Sequence, residues 1–140
     1  MILRLLAGFL LSAMVLAGQT PKQRVIVLTD ISNEPDDEES LVRYLVYSNE
    51  FDTEGIIATT TVWLRDKIRP DIIRESINAF GQVRDNMLLH APGYPTKDYL
   101  LAVTKSGLPE FGMKGVGAGK SSEGSRHIIE VSDKPAPRPV

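Results

Sequence analysis

Residues 24–46 read RVIVLTDISNEPDDEESLVRYLV, an apolar run followed by an acidic loop and then by a helical pattern. The β-favouring residues 25–28 predict a strand that is covered on both faces, as in a parallel sheet. Pro35 and the acids after it suit the first turn of a helix, where backbone N–H groups lack partners and the macrodipole favours negative charge. The stretch therefore predicts a strand that ends in carboxylates and leads directly into a helix.

Spacing within this helix distinguishes the carboxylates from one another. If the helix starts near Asp36, Asp37 lies four residues before Leu41, on the stripe that faces the sheet. Asp30 ends the strand, so we expect Asp30 and Asp37 to share the edge where open α/β sheets bind ligands.

Two interpretations of the acidic loop stay open at the level of these residues. First-turn acids can simply stabilise a helix, by about 0.3–1 kcal/mol each. Five crowded and partly desolvated carboxylates repel one another, however, and a bound cation or polyol would relieve that repulsion. Oxygen ligands in a chain with no cysteine and two histidines favour a hard ion, Ca²⁺ or Mg²⁺. The five acids are Asp30, Glu34, Asp36, Asp37 and Glu38.

The rest of the chain alternates strand and helix patterns. A second strand is predicted over residues 55–62, and a strand–helix–strand unit of this length is a right-handed crossover with parallel strands. We then expect a helix over 68–82, a short strand over 87–89 and a helix over 96–106 that begins at Thr96. After a glycine-rich segment, Ser122 or Ser125 caps a last helix, on which His127 is predicted to be a surface residue.

Two ring-bearing residues follow predicted strands. Trp63 follows the second strand, where it either stacks on a sugar or base or closes the core. His90 follows the predicted third strand, at the same edge as Asp30, and either contacts a ligand or packs locally.

Four segments of the chain resemble the nucleoside-hydrolase-like family, in particular its secreted branch associated with cellulose binding. They are VIVLTDISNEPDD at 25–37, EGIIATTTVW at 54–63, RESINAF at 74–80 and LLHAPGYP at 88–95. The resemblance implies a three-layer α/β/α fold with a mainly parallel sheet. It also implies a D-x-D-x-x-x-D-D loop that holds Ca²⁺, with Mg²⁺ possible, and through it a ribose diol and a water.

The resemblance extends to individual positions of that loop. Asp30 matches the first Asp, Asp36 and Asp37 match the closing pair, and Ser32 stands where the family has a metal-binding general base. By resemblance, Asp37 and Asp30 hold the ion and Asp36 binds the sugar hydroxyls. Asp30 and Asp36 are the candidate catalytic residues, and Trp63 and His90 complete the substrate site.

Two functions follow as hypotheses, with an enzymatic role left open. The first is a metal-dependent hydrolase-like domain for N-ribosyl or related glycosidic bonds, which is expected to be inactive or incomplete as this fragment and is weakened by Ser32. The second is a non-catalytic carbohydrate-binding (cellulose-binding) module, in which Trp63, Tyr94 and Tyr99 offer stacking faces. The expected partner is a small sugar or nucleoside, or a polysaccharide.

Composition and the two ends of the sequence predict the class of protein, its export and the extent of the domain. With 140 residues, 42% hydrophobic, and a net charge of −2, the chain resembles a soluble domain and has no basic excess for nucleic acid. Residues 1–18 have the pattern of a signal peptide, which predicts a secreted or periplasmic protein without a stable membrane span. The proline-rich tail 133–140 predicts a lead-in to a further strand, so 24–140 is expected to be the N-terminal part of the domain.

Overall fold

The computed structural model describes residues 21–32 and 34–140, so the predicted signal peptide lies outside the described residues. The described residues form three strands and four helices, with 3₁₀ turns at Ser48–Glu50 and Gly112–Gly115. The elements are β1 (Gln23–Thr29), α1 (Pro35–Val46), β2 (Phe51–Ala58), α2 (Pro70–Leu88), α3 (Lys97–Val103), β3 (Thr104–Ser106) and α4 (Glu123–Asp133). No helix within the described residues is both long enough and apolar enough to cross a bilayer.

The strands form a parallel sheet in the order β1-β2-β3, which confirms the predicted α/β class and the first crossover. Val27 pairs with Ile56, which pairs in turn with Thr104. The expectation that β1 is covered on both faces is wrong, because Leu28 is 59% exposed. β1 is an edge strand of the described sheet, and α4 packs on the other two strands, β2 and β3.

Helices lie on both faces of the sheet and make three layers. Ile56 and Ala58 point into the main core, with apolar stripes of α1, α2 and α3, whereas Ile57 faces α4. A Cβ on Gly124 would lie 2.6 Å from the Ile57 Cγ2 atom, so this glycine lets α4 approach the sheet closely. The buried core residues are Ile31, Leu41, Leu45, Ile56, Ala58, Ile73, Ile77, Phe80 and Leu100.

The third strand does not lie where the sequence pattern predicts it. Residues 87–89 are not a strand, since α2 continues through Gly81 to Leu88. The strand is instead β3, inside the predicted helix 96–106, which ends at Val103. The predicted cap is confirmed, because the Thr96 Oγ1 atom accepts a hydrogen bond from the Tyr99 N–H at 3.2 Å.

The last described segment packs against the start of the sheet, and residues 134–140 include no strand. The Arg24 guanidinium pairs with the Glu54 carboxylate at 2.8 Å and donates to the backbone carbonyls of Val131 and Arg138 at 2.9 and 3.0 Å. The predicted surface position of His127 is wrong, because its half-buried ring places Nε2 2.7 Å from the Glu54 carbonyl oxygen.

Candidate functional site

The carboxyl ends of the three strands lie side by side. The Thr59 N–H donates to the Thr29 carbonyl and the Gly107 N–H donates to the Ala58 carbonyl, both at 2.8 Å. The loops that follow β1, β2 and β3 therefore meet at one edge of the sheet, which we call the carboxyl edge. Ligands bind at this edge in open α/β sheets.

The acidic loop connects β1 to α1 at the carboxyl edge. Asp30 and Asp37 are both half-buried, whereas Asp36 is exposed in the first turn of α1. Ile31, only 1% exposed, fixes the loop to the core beside Asp30. Ser32 has a φ of 99°, a left-handed conformation that is strained for a residue with a side chain.

The carboxylates of this loop interact electrostatically. Burial raises the pKa of Asp37 most, followed by the negative charges of Asp30, Asp36, Glu34 and Glu38. Among these charges, that of Asp30 contributes most. The charged form of Asp37 is therefore disfavoured, by burial first and by repulsion second, and a cation would relieve the repulsion.

The acidic loop alone does not form a complete metal site. Among residues 21–32 and 34–140, no three or more His, Cys, Asp or Glu side chains are grouped so that they could hold a metal ion. Calcium in proteins takes six to eight oxygen ligands. The roles of Asp37 and Asp30 as metal ligands therefore stay predictions, and we derive no catalytic step through a metal.

Trp63 lies on the loop that follows β2 at the carboxyl edge. Its side chain is 72% exposed, which excludes the alternative that it closes the core. The loop is fixed below it, since the Trp63 N–H donates at 3.3 Å to the Oγ1 atom of Thr61, a residue only 5% exposed. An indole is thus presented to solvent on an ordered turn.

Two further residues of the carboxyl edge were not singled out from the sequence. The Arg65 guanidinium lies 5.5 Å from the ring centroid of Phe111, and the Phe111 N–H donates to the Arg65 carbonyl at 2.9 Å. These contacts join the loop after β2 to the loop after β3, and Phe111 is 40% exposed. A lone aromatic residue within a glycine-rich segment is the sequence signal that could have identified it.

The predicted position of His90 is wrong. It follows the end of α2 rather than a strand, and the next loop contacts the start of β1, since the Lys22 Nζ atom donates to the Gly93 carbonyl at 3.2 Å. We call this opposite side of the sheet, where β1 and β2 begin, the amino edge. Tyr94 and Tyr99 also lie at the amino edge, where the Tyr99 hydroxyl donates to the Thr53 carbonyl at 2.7 Å. The predicted stacking surface that combines them with Trp63 is therefore wrong.

The comparison that decides the family covers the whole described sheet and its helices. The model of a family described as cellulose-binding Sde182, nucleoside hydrolase-like domain, matches residues 24–140. The chain belongs to this family. The resemblance drawn from the acidic loop and its flanks is thereby confirmed, and the chain is a nucleoside-hydrolase-like domain of a family associated with cellulose binding.

A solved structure extends the comparison. The chain is similar to a nucleoside hydrolase-related protein from Saccharophagus degradans that is associated with carbohydrate metabolism, with 44% identity and a TM-score of 0.81. The match covers 85% of this chain but 29% of that one, so the chain spans under a third of the relative's length. No curated protein sequence matches this chain significantly.

Proposed function

We propose that this domain binds carbohydrate at its carboxyl edge and that the ligand is a β-linked glucan of the cellulose type. The proposal depends on one observation, the 72% exposed indole of Trp63 on a loop of the carboxyl edge. Aromatic rings bury large areas against the C–H face of a sugar, and tryptophan is enriched among residues that dominate binding energies. The family description supports the choice of ligand.

The surroundings of Trp63 favour binding by an ordered surface. The contact between Arg65 and Phe111 holds a second aromatic ring on the neighbouring loop. Because both loops are hydrogen-bonded in place, a ligand would not have to order them, and binding would cost less entropy. The exposed Asp36 and half-buried Asp30 would accept hydrogen bonds from sugar hydroxyls.

Retention on microcrystalline cellulose tests this function. The Trp63→Ala variant should bind about 30-fold more weakly than the wild type, the equivalent of about 2 kcal/mol for a dominant tryptophan. Depletion isotherms of the soluble protein give both affinities. The matched control is Tyr47→Ala, since Tyr47 is 59% exposed but caps the end of α1 at the amino edge. Equal retention of the wild type and both variants contradicts the proposal.

A second candidate function is metal-dependent cleavage of an N-ribosyl or related glycosidic bond. Burial, followed by the charges of the neighbouring carboxylates, raises the pKa of Asp37. A bound cation would stabilise the charged form, and we propose Ca²⁺, with Asp37 and Asp30 as ligands. Ser32 in place of the expected acid favours the non-catalytic function. We also propose export of the protein to the periplasm or medium, from the pattern of residues 1–18.

Calorimetric titration with Ca²⁺ tests this second candidate. The wild type should give saturable heats that Asp37→Asn abolishes or weakens by at least tenfold, about 1.4 kcal/mol, because a charged ligand is lost. Release of free base or reducing sugar from nucleosides, measured with Ca²⁺ present, then separates binding from catalysis. Identical heats for the two proteins would contradict the metal site. Saturable heats without product release would show that the domain binds the ion but does not catalyse the cleavage.

A further inference from the structure

A cavity of about 350 Å³ lies at the amino edge, on the far side of the sheet from Trp63. Lys22, the start of β2, the loop that follows α2 and the first turn of α3 line it, and it is open to solvent. Its volume is near the lower limit of about 300–1,000 Å³ that is usual for small-molecule sites, so it suits a small ligand. Its wall residues include Lys22, Phe51, Asp52, Glu54, Gly93 and Tyr99.

Both aromatic rings of this cavity are held in place by other contacts. The Phe51 ring stacks on Tyr44, with 5.9 Å between centroids and 18° between planes. The Tyr99 hydroxyl donates to the Thr53 carbonyl at 2.7 Å, while 45% of the residue stays exposed. The rings therefore offer faces whose orientation is set before a ligand arrives, which reduces the entropy that binding costs.

The cavity also has a fixed hydrogen-bond donor. The Lys22 Nζ atom donates to the Gly93 carbonyl at 3.2 Å and retains further N–H groups for a ligand. The single hydroxyl proton of Tyr99 is already donated to the Thr53 carbonyl, so Tyr99 offers a ligand its ring face and not a donor.

The acceptors of the cavity are two carboxylates that are already paired. The Asp52 Oδ2 atom lies 2.8 Å from the Arg138 guanidinium, and the Glu54 Oε1 atom lies 2.8 Å from Arg24. These salt bridges offset the negative charge and orient the carboxylates, whose remaining lone pairs can accept hydroxyl protons. The cavity therefore favours a neutral ligand with several hydroxyls over an ion.

We propose that the amino-edge cavity is a second sugar site, which takes a neutral hexose unit such as glucose or the terminal unit of a β-glucan. Fixed aromatic faces beside both donors and acceptors match the C–H face and the hydroxyl ring of a hexose. The site shares no residue with the carboxyl edge. It would therefore let one domain contact two glucan segments.

Titration of the labelled protein with cellobiose, followed by amide chemical shifts, tests the second site. Saturable shifts are expected at Thr53, Gly93 and Tyr99. Lys22→Met should weaken this binding about fivefold, the equivalent of one hydrogen bond. Lys67→Met, which removes an exposed lysine at the carboxyl edge, is the matched control and should leave the affinity unchanged.

Three outcomes would overturn the second site. They are no shifts at millimolar cellobiose, shifts confined to the carboxyl edge, and equal affinities for the two lysine variants. Trp63→Ala separates this proposal from the first one, because it should reduce retention on cellulose and leave the shifts at Tyr99 unchanged. Thermal midpoints of all variants establish that each is folded.

Discussion

At the scale of single residues, Asp37 lies where its charge is opposed by its surroundings. Its native pKa is raised above the ordinary 3.8, first by burial and then by Asp30. Between these two values the native state binds a proton that the unfolded chain does not bind. The stabilisation from this proton is fully present below pH 3.8 and is lost as the pH rises through the native pKa.

This linkage predicts a pH-dependent difference between the wild type and Asp37→Asn. At pH 7, without divalent cations, the variant should be more stable by about 0.5 kcal/mol, a small value because the side chain is only half-buried. The difference should shrink as the pH falls and Asp37 becomes neutral. Urea unfolding across this range measures it; a constant difference would show that Asp37 and its neighbours do not interact as described.

Sequence reasoning located some residues of the site and missed others. Helical spacing from Leu41 was sufficient to predict that Asp37 faces the sheet, because both residues lie on one regular helix. The exposure of Trp63 depends on how an irregular loop closes over Thr61, which no periodicity encodes. Phe111 was missed for the same reason, since its neighbour Arg65 lies 46 residues earlier in the chain.

At the scale of elements, α1 was predictable from its helical period, and runs of β-favouring residues revealed β1 and β2. The predicted bounds 55–62 of β2 were wrong, since the strand is Phe51–Ala58. β3 was not predictable, since it has three residues and exists by pairing with β2. The Thr104 hydroxyl donates to the Leu100 carbonyl at 2.8 Å and so gives a hydrogen-bond partner to a carbonyl at the end of α3. The sequence pattern does not show this end, because it stays helical beyond Val103. The apolar residues 87–89 were assigned to a strand because so short a run has no distinguishing period.

At the scale of the whole molecule, Arg24 joins β1, β2, α4 and the last described segment. Its side chain is 5% exposed and pairs with Glu54, which is 21% exposed. The backbone carbonyls of Val131 and Arg138 accept hydrogen bonds from its other N–H groups. Removal of this residue would leave a largely buried carboxylate and two carbonyls without this partner.

Arg24→Met should therefore lower the free energy of unfolding by about 3 kcal/mol. Arg69→Met is the matched control with the same change in charge, because Arg69 pairs with Asp71 at a site where their side chains are 37% and 62% exposed. Loss of that exposed pair should have a much smaller effect, because solvent screens it. Urea denaturation gives both values, and losses of equal size would contradict a special role for Arg24.

The hydrogen bond between the Arg24 side chain and the Arg138 carbonyl also holds the segment after α4 against the start of β1. Two stretches that are 114 residues apart in the sequence therefore meet at the amino edge. Loss of this contact would release both stretches together, as one locally unfolding unit. The loops of the carboxyl edge, on the other side of the sheet, would keep their structure.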